Sequence, residues 1–307
     1  MSEQTQDQLC GFAAVIGPSN AGKSTLINRL VGAKVSITSR KLQTTRNQLR
    51  GIFTQDNAQI ILVDTPGIFA HSGRRLDRSM VDAAWRSALD TDITVLVLDA
   101  RRAPDSPDHL ELIDKLAGIR DADTRCVLVL NKIDTIKRDL LLPRIDAYNK
   151  RMNFDATYLV SALKDDGVDD LRDDLGRHMP VSPWHYDPEM ISDASMRMLA
   201  AEVTREKIYD RLHREIPYAI TVHTDSWEEP EDNAEQVVIH QTIYVMRDSQ
   251  RGIVLGKQGQ TLKEIGKQAR LELADMLERR VHLDLHVKVK SDWDERPEFF
   301  EALGLEY

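Results

Sequence analysis

From residue 9 to about residue 178, short apolar runs alternate with stretches whose apolar residues recur every three or four positions. Leu9–Ile16, Gln48–Gln55, Ala58–Asp64, Ile93–Ala100, Arg125–Asn131 and Thr157–Ser161 read as strands. Lys23–Leu30, Ser79–Leu89, His109–Ala117 and Val168–His178 carry the helical period between them. Alternation of this kind predicts a mostly parallel sheet covered by helices on both faces. The second and third strands are separated by little more than Asp56 and Asn57, so that pair should be an antiparallel hairpin.

The pattern then changes. Pro180, Pro183 and Pro188 punctuate residues 179–193, a stiff linker signal. Beyond it the order is a helix near 194–215, a strand from Tyr218 to Asp225, and an acidic loop. A strand alternating from Val237 to Val245, a short helix to Leu255, a glycine loop and a long helix Thr261–Arg279 follow. The last strand places Val281, Leu283, Leu285, Val287 and Val289 on one face. His282, Asp284, His286 and Lys288 fall on the other, which reads as a solvated face rather than a metal site. Four segments result: a polar tail 1–8, an α/β domain 9–178, the linker 179–193, and a smaller α+β domain 194–307. Arg296–Tyr307, with Phe299, Phe300, Leu303 and Leu305 at near-helical spacing, should pack as a short helix.

Composition adds a soluble, globular class, with 41% apolar and 30% charged residues. No apolar run is long enough to span a bilayer, and the N-terminus lacks a signal-peptide pattern. Cys10 and Cys126 lie in apolar runs and read as core residues of a protein in a reducing cytoplasm. Net charge is −9, which by itself argues against a nucleic-acid partner. Its distribution changes that. Residues 1–180 carry 25 charges of each sign, whereas residues 181–307 carry 16 basic against 25 acidic. Yet Arg247, Arg251, Lys257, Lys263, Lys267 and Arg270 form one basic island, and local clustering sets the field a ligand meets.

Two glycine loops carry the chemistry. The first, GPSNAGKS from Gly17 to Ser24, ends a strand and opens a helix, the setting of a phosphate-binding loop. Backbone N–H groups of Asn20, Ala21, Gly22, Lys23 and Ser24, near Thr25 and the positive helix end, point at phosphates. Lys23 reaches the outer phosphates, and the Ser24 hydroxyl ligates magnesium. NKID, from Asn131 to Asp134, names the base. Guanine offers two adjacent donors to the Asp134 carboxylate, while adenine would leave that charge unpaired. Asn131 can tie neighbouring loops together, the Lys132 stem can lie over the ring, and SAL (Ser161, Ala162, Leu163) can turn a backbone N–H toward O6. In DTPG, Asp64 is placed to hold magnesium through water and the Gly67 N–H to sense the terminal phosphate. Thr45, with Thr44 second, closes over magnesium and γ-phosphate. The set predicts a GTP-binding switch with a magnesium ion.

The set GPSNAGKST, QTTR, DTPG, NKID and SAL, followed by the proline segment and a second glycine loop, resembles the bacterial Era family. AEVTREK (201–207) and IPY (216–218) resemble the start of that family's second domain. The resemblance implies a Ras-like P-loop GTPase domain followed by a type II K-homology domain. It also implies binding to 16S ribosomal RNA near its 3′ end and assistance in small ribosomal subunit assembly. It further implies a cytoplasmic monomer, with peripheral association at the inner membrane. In such a domain Gly256, Lys257, Gln258 and Gly259 clamp a single-strand backbone beside an apolar groove. Ile253, Val254, Leu255, Leu262 and Ile265 are candidates for that groove or the core beneath it. Lys263, Lys267 and Arg270 fall on one helical stripe suited to phosphates.

Ile68 follows DTPG where Ras-type switches carry the glutamine that orients water, so intrinsic hydrolysis should be slow. Some relatives with the same loop use potassium in place of an arginine finger, and Asn20 stands at the position that ligates it in them, so the resemblance implies a potassium site at Asn20 with loop carbonyls near Thr38–Thr44. The catalytic set is therefore Lys23, Thr45, Asn20 and Gly67. A competing reading is an RNA-binding assembly factor whose nucleotide site is mainly structural.

Overall fold

The computed structural model describes residues 7–38, 50–65, 67, 75–121, 123–212, 216–230, 235–297 and 299, and the fold divides into two compact units. Thr44, Thr45, Ile68 and the segment after Phe299 lie outside the described residues.

The first unit is built on six strands: β1 (Leu9–Ile16), β2 (Arg50–Gln55), β3 (Ala58–Asp64), β4 (Ile93–Asp99), β5 (Arg125–Asn131) and β6 (Ala156–Val160). They lie in the order β2-β3-β1-β4-β5-β6. β2 and β3 pair antiparallel through the Asp56–Asn57 turn, and all other neighbours are parallel. Asp56 takes the left-handed backbone (φ 52°) that a two-residue hairpin turn requires. The helices are α1 (Lys23–Val31), α2 (Arg75–Leu89), α3 (Pro107–Ile119), α4 (Leu141–Asn149) and α5 (Val168–Arg177). α1 and α5 bury Leu26, Ile27, Leu30, Leu171 and Leu175 on one sheet face. Trp85, Leu112, Ile113, Leu116 and Tyr148 from α2, α3 and α4 cover the other. Both faces are covered, which is why these strands are continuous apolar runs. The connections from β1 and its neighbours run to opposite sides of the sheet, and such a switch point opens a crevice at the carboxyl ends of the strands.

The proline segment, expected as a linker, is bonded to this first unit. Cys10 N–H donates to Pro180 O at 3.0 Å, Ser182 N–H to Gln8 O at 3.1 Å, and Ile52 N–H to Ile191 O at 2.8 Å. The fully buried Gln59 receives His185 N–H at 2.9 Å and Tyr186 N–H at 3.0 Å. A polar side chain buried on β3 thus finds its partners in that segment, which the spacing of prolines alone could not reveal.

The second unit runs α6 (Met196–Arg211), β7 (Ile220–Glu228), β8 (Gln236–Val245), α7 (Asp248–Leu255), α8 (Gln260–Leu277) and β9 (Arg280–Val289). β7 and β8 are antiparallel, and β8 and β9 are parallel in full register from Gln236–Arg280 to Val245–Val289. The order of elements is the expected one. The alternating apolar positions of β8 meet α6, α7 and α8 in a core that includes Val203, Ile208, Val237, Ile239, Ile243, Val245 and Ile265. Trp293 is fully buried beyond β9, donates its Nε1–H to Ala219 O at 3.2 Å, and packs edge-on against Phe299. Cys10 and Cys126 are both buried, and burial pushes the Cys126 thiol up to about 12.

Candidate nucleotide and nucleic-acid sites

The loop from Gly17 to Ser24 leaves the carboxyl end of β1 and enters α1. Gly22 takes φ +97°, and a Cβ there would meet Asn131 Nδ2 at 2.3 Å. No other residue fits between this loop and the NKID segment. The Lys23 side chain is buried and donates to Gly17 O at 3.0 Å and Pro18 O at 3.1 Å. Burial, with a smaller push from Lys132, lowers its ammonium to about 8 against the opposing pull of Asp64. A cation satisfied only in part by carbonyl dipoles favours an anion beside it.

Asp64, at the end of β3, is fully buried. Its Oδ2 accepts from Ser24 Oγ at 3.3 Å and from Ser36 Oγ at 2.5 Å. Gly67 lies against the loop, since a Cβ there would meet Ser19 Oγ at 2.3 Å. The donor set of hydroxyl and carboxylate oxygens is that of a hard cation such as magnesium.

At the ends of β5 and β6, Asn131 is buried and joins three loops. Its Nδ2 donates to Ala21 O at 2.9 Å, while its Oδ1 accepts from Lys132 N–H at 2.8 Å and Ala162 N–H at 3.1 Å. Asp134 Oδ1 accepts from Ser161 Oγ at 2.7 Å, which orients the carboxylate. Lys132, in the left-handed region (φ 68°), donates to Asn20 O and to Asp99 Oδ2, the latter at 2.9 Å. Its stem therefore bridges the phosphate loop and the sheet. Burial would raise the Asp99 carboxyl, but hydrogen bonds from Arg101 and Lys132 outweigh it and hold the group at about 2. Leu163 stands exposed at the rim, and Arg29 Nε fixes the neighbouring Ala162 O at 3.1 Å.

The residues picked out in Gly17–Thr25, Asp64, Gly67, Asn131–Asp134 and Ser161–Leu163 thus gather at one end of the sheet, while Thr45 lies outside the described residues. Ser36, Asp99 and Arg29 were not anticipated. Asp99 had a signal: it sits in register with Asn131 at the adjacent strand end. Ser36 and Arg29 had none.

In the second unit Gly256 (φ +70°) has no space for a side chain, since its Cβ would meet Thr261 Oγ1 at 2.1 Å. Gln258 also takes a left-handed conformation (φ 50°), so Lys257 and Gln258 stand exposed at the tip of the turn. A groove of about 490 Å³ runs from Gly259 along α8. Lys263, Lys267 and Arg270 form one wall, and Leu262, Leu283 and Leu285 supply its apolar surface. Of the five apolar groove candidates, Leu262 alone lines it. Val254 and Ile265 are buried in the core below, because they point from their helices toward the sheet. No group of three or more His, Cys, Asp or Glu among the described residues is arranged to hold a metal ion.

Residues 12–132 match a family model described as 50S ribosome-binding GTPase, and residues 215–294 match the KH domain. The chain is 51% identical over 298 residues to GTPase Era of Bradyrhizobium sp. (strain ORS 278), covering 97% of this chain and 95% of that one. It is 50% identical over 305 residues to GTPase Era of Afipia carboxidovorans, covering 99% and 97%. The crystal structure of an Aquifex aeolicus Era variant bound to GDP·AlF4− is similar with a TM-score of 0.89 and 37% identity, covering 97% of this chain and 99% of that one. An Era structure in complex with MgGDPNP and nucleotides 1506–1542 of 16S ribosomal RNA is similar with a TM-score of 0.90, at the same identity and coverage. On identity that runs through both units, the chain belongs to the Era family of GTPases, a Ras-like GTPase domain with a C-terminal KH domain.

Proposed function

We propose that this protein is a GTP-hydrolysing switch that binds 16S ribosomal RNA near its 3′ end and assists assembly of the small ribosomal subunit. The observation that carries the proposal is the likeness, over 97% of the chain, to an Era structure holding both MgGDPNP and that RNA. The broad family model names the large subunit; the relative matched end to end, with its 16S fragment, is the narrower guide. In this reading the protein acts as a cytoplasmic monomer with peripheral contact at the inner face of the cell membrane. Among the described residues no helix is long and apolar enough to cross one.

In this reading the amides of Asn20 to Ser24 and the Lys23 amine hold the phosphates. Asn131, Lys132, Asp134 and the Ser161–Leu163 loop hold guanine. Ser24 and Asp64, with Thr45, hold magnesium, which when bound neutralises charge on the phosphate oxygens. The amides of Asn20 to Ser24 and the Gly67 N–H are fixed donors for charge that develops on the terminal phosphate. In the same reading Asn20 holds potassium against that charge. The Gly256–Gly259 turn and the Lys263, Lys267 and Arg270 wall hold the RNA backbone.

Turnover of GTP by the full chain tests this, measured in potassium and in sodium salts, with and without the 16S fragment. Slow turnover that Lys23→Met abolishes is expected, faster in potassium and altered by RNA. Equal rates in the two salts would remove the potassium role. No turnover under any condition would leave the alternative, an RNA-binding factor with a structural nucleotide site.

Lys23 supplies a second test. With its ammonium lowered to about 8, the amine is mostly neutral at pH values above that. A triphosphate beside it favours the charged form and raises the pKa again. Nucleotide binding between pH 8 and 9 is therefore expected to take up a proton, and binding below pH 7 to take up almost none. Calorimetric titration in buffers of different ionisation heats measures this uptake directly. Binding enthalpies independent of buffer at the higher pH would mean that the Lys23 amine is already charged before nucleotide arrives.

A further inference from the structure

Gly266 stands in the interior of α8, where glycine is a poor helix former compared with alanine. Its surroundings give a reason for it. Leu262, Lys263 and Arg270 precede and follow it on the same helix face, at the spacings that make neighbours, and all of them line the groove. Gly266 lines it too, opposite Leu285 on β9. A Cβ built on Gly266 would lie 3.3 Å from Leu285 Cδ1, tighter than ordinary van der Waals contact. An added methyl would fill the groove itself or drive the Leu285 side chain into it. Either way the space between the cationic wall and the apolar floor narrows at its middle.

We propose that Gly266 sets the depth of the groove, so that a flat base of single-stranded RNA can rest on Leu283 and Leu285 with its edge against the bare α8 backbone. The proposal rests on the RNA-binding reading above and adds the residue that limits what enters. Phosphates follow Lys263, Lys267 and Arg270, as a charged wall beside an apolar floor requires. The seat is a steric one, so a purine, with its larger ring, depends on the missing side chain more than a pyrimidine does.

The test is Gly266→Ala in the full chain, read by thermal melting and by affinity for three probes. These are the 16S fragment spanning nucleotides 1506–1542, and oligoadenylate and oligouridylate of about eight nucleotides, a length sufficient to cross such a groove. The melting temperature should stay near that of the parent, since the better helix propensity of alanine offsets the tight contact with Leu285. Affinity for the 16S fragment should fall about tenfold or more, in the range that one methyl group commands in a tight pocket. Oligoadenylate should lose more than oligouridylate. If the tight contact with Leu285 unfolds the single variant, Leu285→Val in the same chain clears the crowded atom, and the titrations of that double variant are read against Leu285→Val alone. Affinities within twofold of the parent for all three probes would overturn the proposal. The paired change Lys257→Asp with Gln258→Asp separates the two levels of inference. If that pair weakens binding and Gly266→Ala does not, only the depth assignment fails. If neither does, the RNA reading fails with it.

Discussion

Asp134→Asn is expected to lower affinity for GTP and GDP by roughly 10²- to 10⁴-fold and to create binding of xanthosine triphosphate. A hydrogen bond to a charged acceptor contributes about 1.5–3 kcal/mol, and the carboxylate accepts two from guanine. Asparagine replaces one acceptor with an NH₂ donor, which faces the guanine 2-amino group donor to donor. Xanthine carries a carbonyl at that carbon and turns the clash into a bond. The structure gives the substitution a defined geometry, because Ser161 Oγ already holds Asp134 Oδ1 at 2.7 Å and the amide oxygen can keep that bond. Competition titrations with fluorescent guanine and xanthine nucleotides measure both halves of the exchange. Guanine affinity kept within a few-fold would mean that Asp134 does not read the base.

Lys257→Asp combined with Gln258→Asp is expected to weaken retention of the 16S fragment by about 2–3 kcal/mol, roughly 30- to 150-fold at low salt. The change removes one positive charge and adds two negative ones. Each acts on nearby phosphates at a distance where unit charges in water interact by about 0.7 kcal/mol. Several phosphates pass the turn, so these contributions accumulate. The logarithmic salt dependence of binding should become shallower by about one unit for each phosphate that the protein no longer neutralises. Both side chains are exposed, and aspartate tolerates the left-handed backbone of Gln258, so the melting temperature should stay near that of the parent. Filter retention or fluorescence anisotropy across a salt series provides the measurement. An unchanged affinity and slope would place the RNA elsewhere on the molecule.

Much of this is legible in the sequence. Strand runs buried on both faces, the fixed spacing from Gly17 to Ser24 and the strand-end position of Asn131–Asp134 are all local signals. What escaped depended on which element covers which face. Periodicity put Leu283 and Leu285 on one side of the last strand, but only the fold sets α8 beside them and opens a groove. Val254 and Ile265 carry the same apolar signal as Leu262, yet their helices turn them into the core. α4 went unseen because Pro143 interrupts its first turn and Leu142 is exposed, leaving no clear stripe. Ser36 and Arg29 matter through partners 28 and 133 residues away in sequence, a distance over which spacing carries no information.

The carboxamide of Asn131 reaches the phosphate loop, its own segment and the loop after β6 at once. Nothing that loosens one of those loops can leave the others undisturbed. One carboxamide therefore ties the phosphate side of the nucleotide site to its base side.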